Sequence, residues 1–112
     1  GSVSSYRFDP ESGTLNYLNS QRSGGENPVY LTVDKSGNWL VNANYTEGSI
    51  SVYRLEQDGR ITPPVQTLRF TEGSIHPQRQ DRSHVHSAVF SPRQDYLFFP
   101  DLGADKIRLF PF

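Results

Sequence analysis

The segment RSHVHSAVFSPRQDYLFFPDLG, residues 82–103, sets His84 and His86 one residue apart, with Arg79 and Arg82 just before them and Asp101 after. An imidazole exchanges protons near neutral pH, so it can take a proton from water or give one to a leaving alkoxide. Two histidines in alternation on a strand can also chelate zinc if a third ligand such as Asp101 joins them. A third possibility is structural: the pair could tie the preceding polar loop to the strand. All three readings are open at the level of residue type. The loop TEGSIHPQRQDRS, residues 71–83, is cationic in its second half. Arg79 there could grip a carboxylate or phosphate through two parallel hydrogen bonds, against the plainer reading of a solvated linker.

Such groups need a scaffold, and an internal repeat supplies one. NPVYLTVDKSGNWLVNANYTEGSISVYRL, residues 27–55, runs without a gap over HVHSAVFSPRQDYLFFPDLGADKIRLFPF, residues 84–112, at an offset of 57. GSVSSYRFD at the start falls on GSISVYRLE, residues 48–56, at an offset of 47. Seven Phe, six Tyr and one Trp stand among nine Gly and eight Pro, in short apolar runs separated by turn residues. That composition is all-β, and no window carries an apolar stripe at helical spacing. Four antiparallel strands per repeat of roughly 45 to 55 residues are the mark of a β-propeller blade.

The expected division is therefore the end of one blade over residues 1–23, a full blade over 27–70, a loop over 71–83, and three strands of the next blade over 84–112. The fourth strand of the full blade is expected over Val65–Phe70, and the first strand of the next from His84. Two strands, then four, then three make a partial propeller. Missing blades, or other copies of the chain, are the partners this expectation calls for. Antiparallel order also assigns faces. Residues 22–27, 44–48, 71–83 and 101–105 should gather at one end of the blades, with the turns at 34–37, 57–59 and 91–95 at the other. Because side chains alternate along a strand, His84 and His86 should both look into the mouth of the central channel. Asn44 and Asp101 are equivalent by the repeat and end second strands on that face. Each is either a turn-forming residue or a substrate contact.

A net charge of −1 argues against a nucleic-acid or membrane-surface protein. No apolar run reaches the length of a membrane span. Cysteine is absent, which removes thiol nucleophiles, disulfides and Cys-type zinc sites and fits a cytoplasmic protein. Asn44-Tyr45-Thr46 has the form of a glycosylation sequon.

NPVYLTVDKSGNWLVNANYTEGSISVYRLEQDGRI and RQDRSHVHSAVFSPRQDYLFFPDLGADKIRLF resemble the lactonase family of seven-bladed β-propellers. The family includes one type of 6-phosphogluconolactonase and, more distantly, carboxy-muconate cyclases. The resemblance covers the whole chain but only about two and a quarter blades, and RQ…HxH…PDLG is its most specific part. It implies hydrolysis of a sugar-acid lactone, such as 6-phosphogluconolactone, in the carbohydrate metabolism of the pentose phosphate pathway. It also implies metal-free chemistry without a cofactor. His86 and His84 would be the catalytic groups, with Arg79, Asp101 and Asn44 binding a small anionic lactone. The alternatives are a propeller that only binds a ligand or protein, and a lactone-forming cyclase. The run Arg93–Asp95 departs from the family's usual Gly-containing turn.

Overall fold

Gly37 and Gln94 occupy the same place in the repeat, and both take a left-handed backbone, with φ of 71° and 60°. Glycine adopts that conformation without steric cost, whereas glutamine does not. Gln94 is used: its Oε1 accepts from the Lys35 N–H at 2.6 Å, and Lys35 Nζ donates to the Pro92 carbonyl. The departure from a glycine turn thus serves as a clip between neighbouring sheets.

The computed structural model describes residues 1–112 and contains nine strands and no helix. They are β1 (Ser2–Asp9), β2 (Thr14–Arg22), β3 (Pro28–Val33), β4 (Trp39–Asn44), β5 (Ser49–Leu55), β6 (Ile61–Arg69), β7 (Val89–Phe90), β8 (Tyr96–Asp101) and β9 (Lys106–Pro111). They form antiparallel sheets of two, four and three strands in sequence order.

The repeat is preserved down to the register. Pro28 faces Asn44 and Val33 faces Leu40 in the second sheet. Val85 faces Asp101 and Phe90 faces Leu97 in the third, each shifted by the same offset. Ser2 with Arg22 likewise matches Ser49 with Arg69, and a bulge precedes both Tyr6 and Tyr53.

Two boundaries differ from expectation. The fourth strand of the complete sheet begins at Ile61, although Pro63 and Pro64 lie within it. It is an edge strand whose register is irregular around Tyr53, and such positions tolerate proline because one side of the strand has no ladder to break. The first strand of the third sheet shrinks to Val89–Phe90. Upstream of it, pairing survives only as a bridge at Val85, flanked by His86 N–H to the Pro100 carbonyl at 3.0 Å and Leu102 N–H to the His84 carbonyl at 3.0 Å.

The core lies between sheets. Alternation along β4 sends Val41 and Ala43 toward the third sheet, where they join Ile50, Val85, Ala88, Leu97 and Phe99. Leu40 turns the other way, to Val3, Tyr53 and Ile61. Burying one such large side chain contributes about 1.5–3 kcal/mol, so each sheet depends on its neighbour rather than on a core of its own. The side of β4 and β5 toward the first sheet also carries polar groups. Asn42 donates to Asn44 Oδ1, Asn44 donates to the Ser23 carbonyl and Ser49 Oγ, and the Tyr53 hydroxyl lies 3.0 Å from the Arg22 carbonyl.

The turn between β8 and β9 passes so close to the main chain of residues 82–84 that a Cβ on Gly103 would overlap the Arg82 carbonyl and crowd the His84 nitrogen. Gly13 has open space around it but a φ of 70°. In the full-length protein, Gly103→Ala is expected to cost more than about 3 kcal/mol in denaturant unfolding, against about 1–2 kcal/mol for Gly13→Ala. Equal losses would show that close backbone packing is not what Gly103 provides.

Candidate functional site

Asp101 ends β8 and is almost inaccessible, at 2% exposure. Its carboxylate accepts from the Ser83 hydroxyl, from His84 N–H at 2.8 Å, from Ala104 N–H at 3.1 Å and from Arg108 Nε at 2.9 Å. Burial works to raise its pKa. The donors from Ser83, His84, Ala104 and Arg108 outweigh that and hold it below the ordinary 3.8. Arg108 also reaches Glu72 Oε2 at 2.6 Å, and its guanidinium lies 3.9 Å from the centre of the Phe70 ring. All four donors to the carboxylate come from within the chain, and Asp101 also lines the depression beside His86. Asn44, its equivalent in the repeat, is fully buried and bonded at both ends of its amide. Its burial also closes the sequon to a glycan in the folded chain.

The two histidines separate. His84 is 9% exposed, with Nδ1 3.0 Å from the Tyr45 carbonyl and Nε2 3.0 Å from Asp81 Oδ1. Its ring stacks on Tyr45 with centroids 4.6 Å apart and planes 18° apart. The bond from His84 is the main reason that Asp81 sits below its usual pKa. His86 is exposed, and its imidazole makes no hydrogen bond within the chain. Its one ring contact is edge-to-face with Tyr45, at 5.6 Å and 88°. Val85 between them enters the inter-sheet core, so side-chain alternation holds although a continuous strand does not.

The loop over 71–83 closes on itself through Ser74 N–H to the Gln80 carbonyl and Gln80 N–H to the His76 carbonyl. Gln80 Nε2 then docks it onto the Leu102 carbonyl at 2.9 Å. Arg79 is exposed next to that docking point, and its guanidinium forms no ion pair. Gln80, His86, Ser87, Asp101, Asp105 and Lys106 are among the residues lining an open depression of about 510 Å³. This end also holds Tyr45, whose N–H donates to the Asn27 carbonyl, while Gln94 and Lys35 lie at the opposite end. No group of three His, Asp or Glu side chains is placed to hold a metal ion.

Sequence reasoning missed Tyr45, Gln80 and Arg108. The signal for Arg108 was present in the repeat: where the second sheet has Asn44 and Ser51, the third has Asp101 and Arg108. Both members of one diagonal pair change from neutral to charged together.

The model of the seven-bladed β-propeller lactonases matches residues 1–112. The chain belongs to the lactonase family. Among similar proteins, the 6-phosphogluconolactonase of Formosa agariphila is 38% identical over 110 residues, covering 98% of this chain and 31% of the relative. That of Bacillus subtilis is 36% identical over 107 residues, covering 96% and 30%. The solved structure of the periplasmic gluconolactonase of Pseudomonas aeruginosa superposes with a TM-score of 0.93 at 39% identity, covering 99% of this chain and 31% of that one. The chain thus spans about a third of the length of these lactonases. No helix is long and apolar enough to cross a membrane.

The Asp101 node makes the lactonase chain acid-sensitive in a defined direction. A carboxyl whose folded pKa is depressed contributes stability above its unfolded value, near 3.8, and loses it as pH falls through the lower folded value. At pH 7, Asp101→Asn is expected to lower stability by roughly 1–3 kcal/mol, the scale of hydrogen bonds to a charged group. The gap to wild type should narrow as pH falls below about 4. Thermal unfolding measured between pH 7 and 3 checks this, and a constant gap would count against it.

Proposed function

We propose that the protein carrying these blades hydrolyses a sugar-acid lactone, 6-phosphogluconolactone in the first instance, at the end of the propeller where His86 is exposed. The observation that carries this reading is the division of labour between the histidines. His84 has both ring nitrogens engaged, whereas His86 has both free beside an open depression. A free imidazole can accept a proton from the water that attacks the lactone carbonyl carbon. The proton can then pass to the ring oxygen as the carbon–oxygen bond breaks, leaving the open-chain acid. Charge on the carbonyl oxygen rises in the transition state and needs a donor or cation, drawn from the whole rim rather than from these blades alone.

Arg79 is the proposed anion grip. It is unpaired, exposed, and carried by a loop pinned next to the depression. A guanidinium there suits a phosphate through two parallel hydrogen bonds. The two similar 6-phosphogluconolactonases support the phosphorylated substrate, while the Pseudomonas neighbour is a gluconolactonase of the periplasm. A cytoplasmic location accompanies the phosphorylated reading, because a doubly charged phosphate ester does not cross a bilayer unaided.

In the full-length protein, His86→Ala is expected to lower kcat on 6-phosphogluconolactone by roughly 10² or more. The fold should survive, since the ring makes no hydrogen bond. Arg79→Ala is expected to raise KM for the phosphorylated lactone about tenfold while leaving gluconolactone nearly unaffected. Steady-state kinetics on both lactones check the pair. Wild-type kcat in folded His86→Ala would remove the acid–base assignment, and equal effects on both substrates would remove Arg79 from phosphate recognition.

A further inference from the structure

The exposed imidazole of His86 lacks any hydrogen bond that would hold its ring, yet proton transfer demands orientation as well as reach. What fixes it is aromatic. The ring of Tyr45 contacts both histidines, stacked on His84 with planes 18° apart and edge-to-face with His86 at 88°. His84 is immobilised by the Tyr45 carbonyl and Asp81 at its two nitrogens and by Asp101 at its main-chain N–H. Tyr45 is held from its own side too, by its N–H on the Asn27 carbonyl and by the tight turn that follows it. There Gly48 has a φ of 63°, and a Cβ on it would press on Ser83. The buried carboxylate thus fixes His84, His84 and Tyr45 brace each other through their stacked rings and the Tyr45 carbonyl, and Tyr45 in turn contacts His86, the one imidazole with neither nitrogen engaged.

We infer that Tyr45 is a positioning residue for His86, setting the direction of its ring by edge-to-face contact while being braced against His84. This rests on the assignment of His86 as the proton-transfer group. An edge-to-face pair favours one relative orientation because the positive ring edge of one partner meets the negative face of the other. Tyr45 comes from the turn between β4 and β5, whereas His86 precedes β7, so the orientation of the free imidazole is also a report on how two neighbouring blades are docked. No hydrogen bond engages the Tyr45 hydroxyl within the chain, so the ring, rather than the hydroxyl, is the working part.

The test is a double-mutant cycle in the full-length protein with 6-phosphogluconolactone. Tyr45→Leu removes the flat ring but keeps apolar bulk. It is expected to lower kcat by about tenfold or more, the scale of a misplaced reacting group, with KM within about threefold. Tyr45→Phe should recover most of that loss. In the His86→Ala background, Tyr45→Leu should add almost nothing, because a residue that acts only through His86 has nothing left to position. Should Tyr45→Leu misfold, Tyr45→Trp, which keeps a stacking ring of different size, must still show a kcat loss that vanishes beside His86→Ala. A loss of the same size in both backgrounds would mean that Tyr45 acts on stability or on substrate directly, and would overturn the inference while leaving His86 in place. Undiminished kcat in His86→Ala itself would overturn the underlying assignment and the inference with it.

Discussion

A carboxylate removed from water must receive hydrogen bonds on most of its lone pairs, and Asp101 receives them from a hydroxyl, two main-chain N–H groups and a guanidinium. Three of these donors belong to the two segments that must meet: Ser83 and His84 at the end of the long loop, and Ala104 in the turn after β8. The carboxylate therefore sets the distance between the loop and the turn. Gly103 lets the two main chains approach closely enough for this to happen. Once they are locked, the ladder bonds at His84 and His86 follow, and with them the positions of both imidazoles. The second sheet meets the same requirement with Asn44, which can donate as well as accept and so pairs with a carbonyl and a serine. A neutral node suffices there because no long loop has to be gathered in.

The charged version brings further consequences. A buried carboxylate needs a counter-charge, and Arg108 meets that need while extending to Glu72 at the start of the loop. One guanidinium thus spans from the interior of the blade to the exposed loop, over the ring of Phe70. The loop that carries Arg79 is consequently anchored at both ends, by Glu72 on Arg108 and by Gln80 on Leu102. This is how a stretch with almost no apolar burial holds a defined course at the open end of the blades.

Much of the fold is legible in the sequence. The gap-free repeat carried both the strand count and the pairing register, because a one-residue slip would move every core residue of β4 and β8 to the wrong side. The two errors of boundary have local causes. Ile61–Pro64 reads as a poor strand because of its prolines, but an edge position beside a bulge removes the penalty. His84–Ala88 reads as a good strand, but its groups are spent on the Asp101 node and on two isolated ladder bonds. The site was legible in part. Residue types marked the histidines, Arg79 and Asp101 as unusual, whereas Tyr45 looked like one more aromatic residue in a turn.

From the sequence alone came the quantities that depend on periodicity: all-β strands, four to a blade, their faces, and which loops share an end. Those follow from alternation and antiparallel order, which are properties of the chain read locally. The roles of the two histidines could not come from there. His84 and His86 have the same chemistry and the same parity along the chain, and their difference arises from Tyr45 and Asp81, which reach them from a neighbouring blade and from the loop. Burial and hydrogen-bond saturation are properties of the packed assembly, so only the tertiary structure could spend one imidazole on structure and leave the other free.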